Sequence, residues 1–158
     1  MELNTAPEAL RSAFAALPTD LQAPVAVALE RLPNDAPLPG DAAVLAELPG
    51  VWAMSEFASR VCLRTPQVLC DLVDSGDLAD VYSAASYQQR LDSQLASAAD
   101  EATLHRALRQ FRAREMLRIA WRDLTGRAGL DETLANLSAL ADVMIDTALE
   151  WLYNELFQ

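Results

Sequence analysis

Lysine is absent from this sequence, and positive charge of any kind is scarce. All twelve basic residues are arginine, against 23 aspartates and glutamates, which gives a formal net charge of −11 at pH 7. Non-specific nucleic-acid binding depends on positive side chains that neutralise phosphates. The composition therefore argues against a nucleic-acid-binding protein.

Long apolar runs and a secretion signal are also absent. No stretch approaches the roughly 18 apolar residues that a membrane-spanning helix needs, and the first thirty residues lack the charged-then-apolar pattern of a signal peptide. We therefore expect a cytoplasmic protein that does not enter a membrane.

Cysteine is limited to Cys62 and Cys70. Their spacing fits neither a C-x-x-C redox pair nor a zinc site. Because free cysteine is among the most frequently buried residue types, we expect two reduced, partly buried thiols.

Four aspartates at intervals of three do not match a calcium-binding loop either, and helix and turn capping is the better interpretation of them. These are Asp71, Asp74, Asp77 and Asp80. We predict no metal and no cofactor for this chain.

Alternating apolar and polar runs rich in β-branched residues are absent, so we predict no sheet. The expected fold is all-α: an irregular helical bundle with three long, nearly antiparallel helices and several short helices near the amino terminus. We divide the chain into residues 1–50, with short helices and a proline-rich loop, and a helical bundle domain over residues 51–158.

Proline, glycine and capping residues delimit the predicted helices. In the first half they predict a helix capped by Thr5 and Glu8 and ending near Leu17, a helix over Asp20–Leu32, a loop over Pro33–Asp41, and a helix capped by Asp41 that ends at Leu48, before Pro49-Gly50. In the second half they first predict a helix capped by Ser55, a helix from Pro66 to Ser75-Gly76, and a helix over about Leu78–Ala98. An arginine-rich helix is predicted to follow Asp100-Glu101 and to end at Gly126 or Gly129. A last helix is predicted to begin at Asp131 and Glu132.

The last helix has the clearest periodicity. Its apolar residues recur at intervals of three and four over six turns, as expected for one face of a helix. They are Leu134, Leu137, Ala141, Ile145, Ala148, Leu152 and Leu156.

The segment LRQFRAREMLRIAWRDLTG concentrates five arginines in an acidic chain. Apolar residues on two sides indicate a central helix. Arg114, Arg118 and Arg122 follow one another at intervals of four, and with Arg112 they form a candidate binding band. Three interpretations stay open: ion pairs with carboxylates of neighbouring helices, an anionic ligand or partner bound by the guanidinium groups, or a solvated face.

Three stretches of the sequence resemble one protein family. LRQFRAREMLRIAWRDLTG resembles the L-R-x-F-R-x-R-x-x-x-R-I-A-W element of the glutamine synthetase adenylyltransferases, large bifunctional enzymes that attach AMP to glutamine synthetase and remove it. LANLSALADVMIDTALEWLY resembles the helix that follows in the family, and MSEFASRVCLRTPQVLCDLVDSGDL resembles an upstream pair of helices. The resemblance covers roughly residues 51–157.

This resemblance implies the amino-terminal helical region ahead of the first nucleotidyltransferase domain, the one that removes AMP by phosphorolysis. For the full-length enzyme it implies ATP and Mg²⁺ as cofactors, and glutamine synthetase and the PII signalling protein as partners. Its catalytic element, G-x-G-K-L-G-G followed by S-D-x-D-L, does not occur in these 158 residues. We therefore expect a catalytically silent segment, truncated before the catalytic domain, that braces that domain.

Two alternatives to this interpretation stay open. One is a stand-alone helical interaction module that docks an acidic partner on the arginine band, and the other is an independent nucleotide-binding or phosphorolytic enzyme. If the chain lacks a neighbouring domain, Trp151, Leu152 and Phe157 would form an exposed apolar patch that allows a weak homodimer.

Overall fold

The computed structural model describes residues 1–96 and 100–156. In these two ranges it contains a short 3₁₀ turn at Leu3–Thr5, eight α-helices and no strand, which confirms the all-α prediction. The helices are α1 (Glu8–Ala15), α2 (Thr19–Arg31), α3 (Ala42–Met54), α4 (Glu56–Arg64), α5 (Gln67–Asp74), α6 (Ala84–Leu95), α7 (Glu101–Leu124) and α8 (Leu130–Leu156).

The helices form two compact units. The first unit comprises residues 1–80 and 120–127, and the second comprises residues 81–119 together with the chain from residue 128 onward. Helix α7 contributes its first nineteen residues to the second unit and its last turn to the first. The near-antiparallel packing of the three helices in the second half of the chain stays a prediction.

Helix α3 is the central helix of the first unit, because it contacts α1, α2 and α4. Six of its thirteen residues are buried: Val44, Leu45, Leu48, Pro49, Val51 and Trp52. The side chain of Asp41 accepts hydrogen bonds from the backbone N–H groups of Ala43 and Val44, at 2.7 and 3.3 Å, which confirms the predicted cap.

The predicted end of this helix at Leu48 is wrong, since α3 continues through Pro49 and Gly50 to Met54. An interior proline removes one backbone hydrogen bond and costs about 3 kcal/mol. Burial of the proline ring and of the large Trp52 side chain offsets that cost, because each large apolar side chain contributes about 1.5–3 kcal/mol when it leaves water.

The predicted capping box at the amino terminus is also wrong. The Thr5 hydroxyl donates to the Glu2 carbonyl at 2.9 Å, inside the 3₁₀ turn. Pro7 has an extended conformation, with φ −51° and ψ 144°, and α1 begins at the next residue without a side-chain cap. A residue before proline is disfavoured in the helical region, which keeps Ala6 extended and places Thr5 outside α1.

Most of the other predicted helix boundaries in the first unit are confirmed. Helix α2 and the loop over residues 33–41 lie where the prolines predict them. The Ser55 hydroxyl accepts the Ala58 N–H at 3.2 Å and caps α4. Helices α4 and α5 are interrupted at Thr65-Pro66, and α5 ends just before Gly76, whose φ of +76° is a conformation that glycine adopts without strain.

The second unit is built from α6, most of α7, and α8, around a core of seven buried side chains. They are Tyr82, Tyr87, Leu91, Phe111, Ile119, Leu140 and Val143. Helix α6 begins at Ala84 and not at Leu78 as predicted, because Ser83 and Ser86 form a reciprocal capping box. The predicted end of this helix at Ala98 lies outside the described residues.

Both ends of α7 follow local sequence signals. Asp100 accepts the Thr103 N–H at 2.7 Å, and hydrogen bonds from the Thr103 backbone and hydroxyl lower the pKa of the Asp100 carboxyl. At the other end Gly126 has φ +72°, and the Arg127 N–H donates to the Arg122 carbonyl at 2.8 Å. This is the glycine-terminated helix end predicted from the sequence. None of the helices over residues 1–96 and 100–156 is both long and apolar enough to cross a membrane.

Candidate interaction surfaces

Arg118 is completely buried in the second unit, with a relative exposure of 0%. Its guanidinium donates to the Tyr87 hydroxyl and to Asn136 Oδ1, at 3.4 Å in each case, and its central carbon lies 3.3 Å from the centre of the Tyr82 ring. Tyr87 in turn donates to Asn136 Oδ1 at 2.6 Å. Positive charge is therefore stabilised within the second unit by an aromatic face and by oxygen acceptors.

Glu115 lies one helical turn before Arg118 on α7 and is also completely buried. Arg114 Nη1 donates to Glu115 Oε1 at 2.5 Å, and the Arg114 side chain is 22% exposed. Residues three or four apart on a helix are neighbours. Glu115 is therefore placed between Arg114, with which it pairs, and the buried Arg118 one turn later.

Arg122 is 3% exposed and belongs to the first unit, where its Nη1 donates to the Leu78 carbonyl at 2.7 Å. Asp77, the residue before that carbonyl, is fully buried. The other three aspartates of the series at intervals of three are exposed. Across residues 1–96 and 100–156, no three His, Cys, Asp or Glu side chains are grouped so that they could hold a metal ion.

Of the four arginines in the predicted band, Arg112 alone is exposed. The structure therefore does not present Arg112, Arg114, Arg118 and Arg122 as one accessible band. It instead exposes Arg112 together with Arg106 and Arg109, and we call these three residues the α7 arginine stripe. The three-residue spacing of the stripe can be read from the sequence. The contacts of Arg118 with Tyr87 and Asn136 cannot be predicted from it.

His105 lies next to the α7 arginine stripe and is exposed. Its Nε2 is 3.9 Å from Glu101 Oε1, one turn earlier, with both side chains more than half exposed. Such an exposed pair contributes little to stability. His105 is therefore a surface residue next to a carboxylate.

Helix α8 is apolar on two sides. Its buried residues Asn136, Leu140 and Val143 face the core of the second unit. The exposed members of the periodic apolar set recognised in the sequence lie on another side, whereas Leu137 packs against that core. Of the set's members with described side chains, Leu137 and Ala148 are half-buried and the other four are exposed.

This outer side of α8 carries large exposed apolar side chains. Five of them, with 44–71% relative exposure, define what we call the α8 apolar surface: Leu130, Leu134, Ile145, Leu149 and Leu152. At about 1.5 Å rise per residue the surface extends about 33 Å along the helix. Of the predicted patch, Leu152 belongs to it, Trp151 is half-buried, and Phe157 lies outside the described residues.

Both cysteines are buried and not disulfide-bonded. Burial raises the pKa of the Cys62 thiol to about 12, and burial also raises the pKa of Cys70. Thiolate is the reactive form of cysteine. These thiols are therefore unsuited to nucleophilic chemistry near neutral pH.

The chain is similar to proteins of one family. The family model for glutamate-ammonia ligase adenylyltransferase matches residues 45–158. The chain is 41% identical over 159 residues to the bifunctional glutamine synthetase adenylyltransferase/adenylyl-removing enzyme of Thioalkalivibrio sulfidiphilus, which covers 99% of this chain and 15% of that protein. With the protein of the same description from Pseudomonas aeruginosa, identity is 41% over 145 residues, covering 92% of this chain and 14% of the relative.

A third protein of this description, from Nitrosococcus oceani, is 45% identical over 103 residues, which is 65% of this chain and 11% of the relative. The chain thus spans about one seventh of the length of the first two relatives. The match with the Thioalkalivibrio protein also includes nearly all of the first fifty residues. The resemblance described from the sequence did not cover those residues. Since the family model matches most of its residues, the chain belongs to the glutamate-ammonia ligase adenylyltransferase family.

Proposed function

We propose that this chain is the amino-terminal helical region of a bifunctional enzyme that adenylylates and deadenylylates glutamine synthetase. Its task is to brace the nucleotidyltransferase domain that removes AMP. The observation that carries this proposal is the α8 apolar surface. Five large exposed apolar side chains on one side of one helix are more than a monomeric protein usually leaves in water.

The length of the relatives indicates what could cover that surface. The chain matches 14–15% of the length of two of them, so most of each relative consists of polypeptide beyond the matched part. A helix that already buries Leu140 and Val143 on one side can bury a second apolar side against another domain. The α8 apolar surface is therefore the proposed contact with the rest of the polypeptide.

Catalysis is assigned to the rest of the polypeptide. Adenylyl transfer from ATP requires a phosphate-binding loop and carboxylates that hold Mg²⁺. The sequence has no G-x-G or D-x-D element, and residues 1–96 and 100–156 hold no cluster of metal-binding side chains. ATP and Mg²⁺ do not fit the residues of this chain, and we derive no chemical step from it.

We propose a structural role for the buried arginines. Arg118 and Arg122 are at most 3% exposed, so a partner's surface cannot reach their guanidinium groups. Glu115 lies three residues from Arg118, and Asp77 lies beside the carbonyl that Arg122 contacts. Burial of a charge is tolerated when an opposite charge and hydrogen bonds accompany it, so we assign Glu115 and Asp77 as the compensating charges.

The partners of the whole enzyme are proposed to be glutamine synthetase, as the relatives' names state, and the PII protein, as the resemblance implies. The α8 apolar surface is not assigned to either of them. An isolated chain would leave this surface uncovered, and weak pairing of two copies through α8 is the expected result.

The test uses the polypeptide extended to the length of its relatives, with the double substitution Ile145→Asp and Leu149→Asp. Two charges on the α8 apolar surface should detach the domain that packs there and reduce the rate of AMP removal from adenylylated glutamine synthetase by about tenfold or more. The matched control is Ala135→Asp with Asn154→Asp, which adds the same charge at exposed α8 positions outside that surface.

The control variant should keep its activity. Both double variants of the 158-residue chain should retain their helical circular dichroism, because neither alters a buried residue. Full deadenylylating activity in the Ile145→Asp/Leu149→Asp enzyme would contradict the bracing role. Removal of AMP by the 158-residue chain alone would contradict the assignment of catalysis to the rest of the polypeptide.

A further inference from the structure

The α7 arginine stripe is an isolated basic feature on an acidic molecule. Arg106, Arg109 and Arg112 are all exposed, in a chain whose formal net charge is −11. Three-residue steps on an α-helix place each residue about 60° from the last, so the stripe covers an arc of about 120° and about 9 Å of helix length. The three guanidinium groups therefore fit within the reach of one short binding segment.

The stripe has no ion-pair partner in the part of the chain that the structure describes. Neighbouring like charges on a helix cost a few tenths of a kcal/mol per pair, and this chain carries 23 carboxylates that could have opposed them. The nearest acidic residues in the sequence have hydrogen-bonding or ion-pair partners of their own, although, besides hydrogen bonds from Thr103, the charge of Arg106 also helps to lower the pKa of Asp100. Glu115, three residues after Arg112, pairs with Arg114. Glu101 pairs with His105, and Asp100 accepts hydrogen bonds from Thr103 as the cap of α7.

Arginines that come after the stripe in the chain differ from it, because they have hydrogen-bonding partners within the chain. Arg114 and Arg127 each pair with a carboxylate, at 2.5 and 2.7 Å, and Arg122 donates to a backbone carbonyl. The three residues of the stripe are instead exposed. Arginine presents its donors as a planar fork that matches a carboxylate group.

We propose that the α7 arginine stripe is a docking site for an acidic segment of a partner protein, which places two or three carboxylates along about two turns of α7. A long polyanion such as DNA is a poor occupant, because the net charge of −11 on the chain would repel the part of it that extends beyond the stripe. A short acidic segment contacts the stripe alone, since charges beyond about 10 Å are screened at about 0.1 M salt.

This inference goes beyond the proposed bracing role and does not depend on it. The stripe lies on α7, and the α8 apolar surface contributes no residue to it. Substitutions in the α8 apolar surface should change how the rest of the polypeptide packs on this chain. Substitutions in the α7 arginine stripe should change the affinity for an acidic partner. The two proposals can therefore fail separately.

The test titrates the ¹⁵N-labelled 158-residue chain with a hexaglutamate peptide and follows the amide and arginine side-chain resonances. Shifts should cluster around Arg106, Arg109 and Arg112 and should weaken as salt is raised from about 0.01 M to about 0.3 M. The triple variant Arg106→Gln/Arg109→Gln/Arg112→Gln should raise the apparent Kd about tenfold or more. A single Arg109→Gln variant should give a smaller loss.

The control variant is Arg11→Gln/Arg31→Gln/Arg64→Gln, three exposed arginines outside α7. It lowers the net charge by the same three units, from −11 to −14, and should bind hexaglutamate nearly as wild type does. Equal loss in both triple variants would overturn the docking site and leave only an effect of net charge. Absence of shifts on α7 would overturn it as well, as would tighter binding of a six-nucleotide oligothymidylate than of hexaglutamate.

Discussion

At the scale of single residues, the arginines of α7 divide into two groups by burial. Arg118 is enclosed by aromatic rings and acceptors, whereas Arg112, six residues earlier on the same helix, is exposed. The sequence predicted a central helix and left open whether its arginines pair internally or bind a ligand. Spacing alone could not decide this, because the residues that accept hydrogen bonds from Arg118 come from α6 and α8.

Replacing Arg118 should destabilise the chain far more than replacing Arg112. Arg118→Met removes the donor to Tyr87 and Asn136 and should lower the free energy of unfolding by about 3–5 kcal/mol, as the breaking of buried charge pairs does. Arg112→Met should change it by less than about 0.5 kcal/mol. Urea unfolding followed by circular dichroism measures both values. Similar losses in the two variants would contradict the burial of Arg118.

Cys62 should make stability depend on pH in the alkaline range. Its pKa rises from 9.0, the ordinary value, to about 12 in the folded chain. Above pH 9 the unfolded chain releases this proton while the folded chain retains it, so the free energy of unfolding should fall as pH rises from 9 to 12. The contribution approaches about 1.4 kcal/mol per pH unit.

Urea unfolding at several alkaline pH values, in wild type and in Cys62→Ala, isolates this contribution. The variant should show a shallower decline, with the remaining slope arising from other alkaline groups, including Cys70, whose pKa burial also raises. Identical slopes in the two proteins would show that Cys62 does not hold its proton through burial.

At the scale of helices, the sequence predicts boundaries well where a local group determines them. Asp41, Ser55 and Gly126 all mark helix ends as predicted, because capping and left-handed glycine depend on neighbouring backbone atoms. The prediction fails at Pro49-Gly50, where burial within the first unit overrides two helix-breaking residues. It also does not identify which side of α8 is buried, since both sides are apolar.

Glu47 of α3 contacts Trp121, near the end of α7, and Arg127, in the turn after α7. All three residues belong to the first unit. Glu47 accepts the Trp121 indole N–H at 2.8 Å and pairs with Arg127 at 2.7 Å. Glu47→Ala should destabilise the chain by about 1–3 kcal/mol, because the buried indole N–H loses its acceptor. Glu47→Gln retains an acceptor and should cost less.

Unfolding followed by tryptophan fluorescence measures this effect. The matched control is Glu56→Ala, which breaks the exposed pair with Arg60, separated by 3.8 Å, and should cost at most about 1 kcal/mol. A Glu47→Ala variant as stable as the Glu56→Ala variant would contradict the assigned role of Glu47.

At the scale of the whole molecule, the family was predictable from three sequence stretches, and the family model confirms it over residues 45–158. The sequence did not predict the extent of the exposed apolar surface. The expected patch near Trp151 and Leu152 extends along α8 as far as Leu130. Exposure depends on the position of every neighbouring helix, which periodicity within one helix does not report.

The most direct test of the bracing role is hydroxyl-radical footprinting of α8 in two proteins: the 158-residue chain and the polypeptide at its relatives' length. In the shorter protein Ile145, Leu149 and Leu152 should be oxidised readily, whereas buried Leu140 should not. In the longer protein we predict that these three residues become protected to the level of Leu140. Equal oxidation of the α8 apolar surface in the two proteins would contradict the proposal that the rest of the polypeptide covers it.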